Sequence, residues 1–341
     1  MRTIIVAPGN SEQGGVGTFV RQLFDLLHEE EVAIVTGSTE QPGRYRGRPC
    51  RNVRGFGRAP TFSSILQIVR FARPEEHTVM VCNGTSALLV AALCKLLVRR
   101  NLSVVSVFHG LVSRYEHRAR VIRLIEKCAA KLSDMNVFLN AFDRDQLKSQ
   151  GRIIPNAIAE SGTSTYREPS IAMPVEIVVV ARHSKQKNIR VVLDIAAAAP
   201  ELRISIYGGG PEFQHAVDYV HERKLGNVQL AEWAQPSEIY KPSGIFVLPT
   251  FAEGFPFSVL EAASRCMPLV LSDLPELRSI CGEHAQYFPN GSADTLLEIL
   301  RSLSRPESYG HWAHCASELS KLYTHEQWSQ DWKDVLAQCC M

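Results

Sequence analysis

The sequence predicts an α/β protein built from two doubly wound, Rossmann-like domains facing each other across a cleft. Three observations predict it. The chain has 341 residues, and at roughly 150 residues per domain that length favours two domains over one. Short runs rich in Val and Ile alternate with longer segments of helical period, the pattern of strands and covering helices. The runs are continuously apolar, which marks strands buried on both faces and therefore parallel sheets. With 45% hydrophobic and 21% charged residues, the composition excludes a disordered or fibrous chain.

The first sheet draws its strands from residues 3–7, 32–36, 79–82, 104–108 and 136–139. The second draws on residues 176–180, 204–207, 228–230, 245–249 and 269–272. Between them, residues 158–174 are polar and without period, which reads as a linker. The expected domains are therefore 1–158 and 175–323, joined by 159–174, with a last helix at about 324–341 carrying Trp328 and Trp332. One segment departs from the pattern. Arg44, Arg46, Arg48, Arg51, Arg54 and Arg58 stand among Pro and Gly between Gln41 and Pro60. It reads as an exposed basic loop rather than a central strand.

The net charge is only +2, but residues 1–160 hold 22 Lys+Arg against 14 Asp+Glu, net +8, and residues 161–341 hold 15 against 21, net −6. Such an asymmetry suggests an anionic surface or substrate facing the first half. The bland reading is two halves that attract each other. No signal peptide is legible after Arg2, and no run reaches the roughly 20 apolar residues of a membrane span. Nine Cys without a Cys-x-x-Cys pair read as reduced, mostly buried thiols of a cytoplasmic protein. Nothing points to a nucleic-acid partner.

Five stretches carry chemistry. Gly14, Gly15 and Gly17 open a helix after the first strand, where close backbone approach and free N–H groups favour a phosphate. The spacing is not the dinucleotide pattern and no acidic residue closes the second strand, so a nicotinamide dehydrogenase loses ground. His109 follows the fourth run and could hydrogen-bond a sugar hydroxyl. Arg182 and Lys187 follow the first strand of the second domain, where two cations can hold a diphosphate and stabilise it as it leaves. Gly208, Gly209 and Gly210 follow the next strand and allow close approach, or form a turn. Glu253 and Glu261, eight apart in Glu-Gly-Phe-Pro-Phe-Ser-Val-Leu-Glu, follow the strand at 245–249. Carboxylates there can grip vicinal sugar hydroxyls, and the helix start favours binding over an acid–base pair of the hydrolase kind. Asp143 and Asp145 admit a metal reading, but acidic residues in a first helical turn are the simpler one.

These motifs together resemble the GT-B retaining glycosyltransferases of family GT4 over nearly the whole chain. Glu253 and Glu261 fall on the family's Glu-x7-Glu signature, Arg182 and Lys187 on its Arg…Lys pair, Gly14–Gly17 on its first loop and His109 on its cleft His. Ile154-Pro155-Asn156 is similar to the family's domain-joining Ile-Pro-Asn-Gly, with Ala157 in place of Gly. The resemblance implies a nucleoside-diphosphate sugar, with a UDP-sugar slightly favoured, and no cofactor or metal. It implies that Arg182 and Lys187 hold the diphosphate and that Glu261 binds ribose. Glu253 and the N–H groups of Gly254, Phe255 and Phe257 would contact the transferred sugar. Trp233 would lie near the base, with Gly209 beside the donor. His109 would touch the reaction centre, and Gly15 and Gly17 would face the phosphates. The last helix would cross back to the first domain. Two departures stand out: Cys266 where the family has Gly, and no glycines before Glu276. A nucleotide-sugar epimerase and an inactive glycan-binding protein are the rivals.

On the acceptor side, Val121, Leu124, Ile125, Cys128 and Leu132 form one helical stripe within Arg114–Leu132. Arg120, Arg123, Lys127 and Lys131 form another. This basic amphipathic pattern fits either a surface helix with its stripe in the core or a helix lying on anionic lipid. The second reading, in which Arg44–Arg58 and Arg114–Lys131 together meet the lipid, expects a peripheral protein on the cytoplasmic face of the inner membrane, with a glycan or lipid-linked acceptor.

Overall fold

Strands buried on both faces must be parallel and covered by helices, and this requirement shapes each half of the chain. The computed structural model describes residues 2–10, 14–27, 31–38, 44–45, 48–53, 56, 61–71, 77–98, 101–114, 119–158, 175–232, 234–241 and 243–339. The chain divides into two units, Met1–Asn156 with Glu326–Met341, and Ala157–His325. The first division falls inside the Ile154-Pro155-Asn156-Ala157 stretch.

The first unit holds β1 (Arg2–Asn10), β2 (Glu31–Ser38), β3 (Arg44–Tyr45), β4 (Arg48–Asn52), β5 (Thr78–Asn83), β6 (Leu102–Phe108), β7 (Met135–Phe138) and β8 (Arg152–Ile153). Their order is β3-β4-β2-β1-β5-β6-β7-β8. Every neighbouring pair is parallel except β3 and β4. Central β1 sets Ile4 opposite Ala33 on one side and Met80 on the other. Ile4, Ile5, Val6 and Ala7 are wholly buried, the reason this run is apolar at every position.

The second unit holds β9 (Glu176–Val180), β10 (Arg203–Tyr207), β11 (Val228–Ala231), β12 (Gly244–Leu248), β13 (Leu269–Ser272) and β14 (Gln286–Phe288). The order is β11-β10-β9-β12-β13-β14, all parallel. The predicted linker at 159–174 lies outside the described residues.

The Arg-rich segment corrects the loop reading in part. Ile34 pairs with Cys50, Val35 with Arg51 and Thr36 with Asn52, so β4 extends the sheet. β2 has a second edge to satisfy, and paired backbone outweighs side-chain pattern there. Pro49 lacks an N–H but faces only the two-residue β3, where little pairing is lost. Buried Val53 and Phe56 anchor the chain just after β4. Arg46, Arg54 and Arg58 lie outside the described residues.

The last helix, His325–Gln338, packs within the first unit. Trp328 and Trp332 meet the Phe19 ring at centroid distances of 6.1 and 5.4 Å, both edge-on. The Cys339 carbonyl accepts from Ser103 Oγ at 2.8 Å and lies 2.8 Å from His77 Nε2. Among the described residues, no helix is long and apolar enough to cross a membrane. Trp332 is wholly buried, so Trp332→Ala should destabilise the protein by about 3–5 kcal/mol, read as a lower urea midpoint in far-UV circular dichroism.

Candidate functional site

In a parallel sheet, all strands present their carboxyl ends at one edge, and the loops there gather functional side chains. In the second unit the loops after β9 and β12 are joined by their backbones. The Gln186 carbonyl accepts from Phe251 N–H at 2.8 Å and from Thr250 Oγ1 at 3.2 Å. Gln186 Nε2 donates to the Ala252 carbonyl at 2.7 Å. This brings Lys187 onto Glu253, and Lys187 Nζ forms an ion pair with Glu253 Oε1. Both side chains are largely buried, at 18% and 7% exposure. A charge-assisted bond in such surroundings is stronger than one in water. Glu276, wholly buried in the first turn of the helix Pro275–Cys281, accepts from Glu253 N–H at 3.1 Å. Arg182 stands exposed at the start of the same loop as Lys187.

Two glycines fix that loop from below. Gly208 and Gly210 have φ of +133° and +149°. A Cβ at either would stand 2.1 Å from the Ala181 carbonyl oxygen or 2.3 Å from that of His183. The Gly-rich turn therefore holds the Arg182 loop against its own backbone. A Cβ at Gly209 would meet the Glu232 side chain at 3.8 Å, an ordinary van der Waals contact.

Glu261 sits in the helix Phe257–Ala263 directly after β12. Tyr240 is 3% exposed and donates its hydroxyl to Glu261 Oε2 at 2.6 Å. Burial, reinforced by the Glu261 charge, pushes the Tyr240 hydroxyl well above its ordinary range, so it stays a donor. Tyr240 thus aims the carboxylate, a role that sequence spacing does not disclose. Phe255 and Phe257 turn their rings inward, at 5% and 7% exposure, and Phe255 meets Tyr323 edge-on at 5.0 Å. Their side chains are therefore packing groups and do not reach the loop surface. Trp233 lies outside the described residues.

In the first unit, the helix Gly14–Leu26 starts at Gly14, with φ +73°. Gly15 is exposed in that first turn and Gly17 is buried. His109 follows β6, half-buried, with its ring edge-on to Phe19 at 4.7 Å. Its Nε2 lies 3.0 Å from Asn83 Oδ1. Burial lowers its pKa to about 4, so the ring is neutral at physiological pH. Asp143 belongs to a helix cap: its N–H donates to Asn140 Oδ1 at 2.8 Å and its carboxylate accepts from Asn140 Nδ2 and Arg114.

Two family models together match most of this chain. The one described as Glycosyl transferases group 1 matches residues 167–313, and Glycosyltransferase Family 4 matches residues 13–161. The chain belongs to the family 4 glycosyltransferases. Relatives of this glycosyltransferase include the amylovoran biosynthesis glycosyltransferase AmsD of Erwinia amylovora, 22% identical over 98% of this chain and 99% of that one. The O-antigen biosynthesis glycosyltransferase WbnH of Escherichia coli is 22% identical over 77% and 79%. The crystal structure of HepE from Anabaena in complex with UDP-glucose has the same GT-B fold, with a TM-score of 0.81 at 14% identity over 99% and 100% of the two chains.

Two further features of the second unit bear on its packing. Cys266, where the family has Gly, has φ +55°, the left-handed conformation that favours Gly after a helix. It closes the helix all the same, its N–H donating to the Ala263 carbonyl at 2.9 Å. Cys82, Cys94, Cys266, Cys281 and Cys339 are buried thiols in no disulfide, and burial pushes Cys94 and Cys281 up to about 12. The other feature is His183, 1% exposed beside Arg182, with neither ring nitrogen hydrogen-bonded. It packs edge-on against Phe213 at 5.0 Å as an apolar residue would. Burial lowers its pKa, so the unfolded chain binds a proton that the folded chain refuses. Stability is then lost as pH falls below the unfolded value of about 6.5. His183→Leu should flatten this acid-side fall in melting temperature, measured by calorimetry from about pH 7 down to about pH 5.

Proposed function

We propose that this glycosyltransferase moves a hexose from a UDP-sugar, with retention of anomeric configuration, to a glycan or lipid-linked acceptor in cell-surface polysaccharide synthesis. The observation that carries the reading is the Lys187–Glu253 ion pair, set beside Arg182 and one short helix from the Tyr240–Glu261 bond. Cations for a diphosphate and carboxylates for sugar hydroxyls thus stand on two adjoining loops and the short helix that follows the second. The O-antigen and amylovoran roles of relatives support the pathway class, and UDP-glucose bound to HepE supports the donor class.

In this reading Glu261 accepts from the ribose hydroxyls. Glu253 and the N–H groups of Gly254, Phe255 and Phe257 orient the transferred hexose, with Gly209 beside the donor. Gly15 and Gly17 add backbone donors for the phosphates, and Trp233 lies near the base. Arg182 and Lys187 face the charge that grows as the glycosidic carbon–oxygen bond to phosphate breaks. The acceptor hydroxyl forms the new bond from the same face, and its proton passes to the departing phosphate oxygen. His109 contacts the sugar at the reaction centre. A positive charge from protein side chains serves the leaving group directly.

The donor reading is tested by calorimetric titration of UDP-, GDP- and ADP-glucose. UDP-glucose should bind most tightly, and Glu261→Ala should weaken it about 10- to 100-fold, the worth of one or two hydrogen bonds to a charged group. Tyr240→Phe should weaken it several-fold. Wild-type affinity in Glu261→Ala would sink the assignment.

A separate observation favours an anionic membrane surface beside the acceptor. In the helix Ala119–Leu132 the buried positions are Glu126 and Ala129. Glu126 turns inward because Ser113 Oγ donates to it at 2.6 Å. That rotation leaves Val121 and Leu124 60% and 62% exposed, with Cys128 exposed alongside. Arg120, Lys127 and Lys131 flank them, also exposed. Arg114 and Arg123 are engaged with Asp143 and the Gln146 carbonyl instead. Each free cation near anionic lipid is worth about 1 kcal/mol. The protein should co-sediment with phosphatidylglycerol vesicles more than with phosphatidylcholine vesicles, and Val121→Ser with Leu124→Ser should reduce it. Equal sedimentation with both lipids would defeat the proposal.

A further inference from the structure

We propose that Asn83 is a positioning residue that fixes His109 as the neutral imidazole carrying its proton on Nε2, so that the ring offers its Nδ1 lone pair to substrate. The inference deepens the reading of His109 as a sugar contact and rests on it. Asn83 ends β5 and is wholly buried. One end of its amide meets two backbone carbonyls, those of Val6 and Val81, each at 3.3 Å. Carbonyl oxygens only accept, so that end must be the NH2 group. The amide oxygen is then forced toward His109 Nε2, 3.0 Å away. An amide oxygen cannot donate, so the proton of this bond lies on Nε2. A neutral imidazole carries one ring proton, and Nδ1 is left as an acceptor. The lowered pKa of His109 agrees with a neutral ring.

The ring plane is fixed as well. Phe19 meets it edge-on at 81°, and Phe19 itself is backed by Trp332. The orientation of His109 therefore depends on the end of β5, on the first helix and on the last helix, none of which carries it. The chemical consequence is selective. A cationic or Nδ1–H ring would donate to a sugar oxygen or stabilise the departing phosphate. A ring locked with Nε2–H instead accepts a hydrogen bond at Nδ1 from a sugar hydroxyl. Such a site discriminates against a sugar lacking that hydroxyl, because Nδ1 then loses its donor.

The test begins with nitrogen-15 NMR of histidine-labelled full-length protein without ligand, with His109→Gln assigning the signal. At neutral pH the expected spectrum has Nε2 protonated and Nδ1 bare. A proton on Nδ1, or a charged ring, overturns the proposal whatever the turnover. Asn83→Asp replaces the amide by a carboxylate and should raise the His109 midpoint toward or beyond its ordinary value of about 6.5; an unmoved midpoint also overturns the proposal. In Asn83→Asp, kcat should fall about tenfold or more, the worth of one hydrogen bond to a charged or fixed partner, with KM for the donor held within about twofold. If the tautomer is as expected but His109→Gln turns over normally, the contact of His109 with the sugar falls while the tautomer stands. Should Asn83→Asp fail to fold, the wild-type spectrum still decides the point.

Discussion

A lysine and a glutamate 66 residues apart carry most of the site in the second unit. Lys187 and Glu253 are each too buried to remain charged alone at low cost. Each is acceptable because the other is there. The pairing requires the loops after β9 and β12 to keep a fixed distance, and Gln186 supplies it through bonds to Phe251, Thr250 and Ala252. Gly208 and Gly210 hold the first loop down, and Glu276 holds the second. The geometry around one ion pair thus recruits four segments of chain.

The first unit solves a similar problem without charge. His109 is kept neutral by burial and oriented by an amide whose own direction two carbonyls dictate. The two units therefore present different chemistry at their strand ends: fixed charge in one, and a neutral, directional acceptor in the other. Both depend on residues one step behind the obvious side chain, Tyr240 and Glu276 behind the carboxylates and Asn83 behind the histidine.

Much of the fold was legible because burial on both faces forces continuous apolarity. Residues 3–7 and 245–249 show it plainly. β8 and β14, of two and three residues, are too short for any period to register. β4 was hidden because its arginines and proline argue against a sheet interior, while backbone pairing on the open edge of β2 decides the matter. In the helix Ala119–Leu132 the apolar stripe was visible, but its direction was not. With Glu126 buried and bonded to Ser113, Val121, Leu124 and Cys128 face outward while Ile125 packs on the core.

The sequence alone determined the residue types and their order: two runs of parallel strands, a glycine-rich first turn, Arg182 before Lys187, and Glu253 before Glu261. It did so because strand periodicity and loop position are local properties. Tertiary structure alone decided the partners. Lys187 meets Glu253, Tyr240 aims Glu261, and Asn83 faces His109. These contacts join residues 66, 21 and 26 positions apart. Hydrogen bonds of that reach depend on strand order and loop packing, and spacing along the chain carries no record of them.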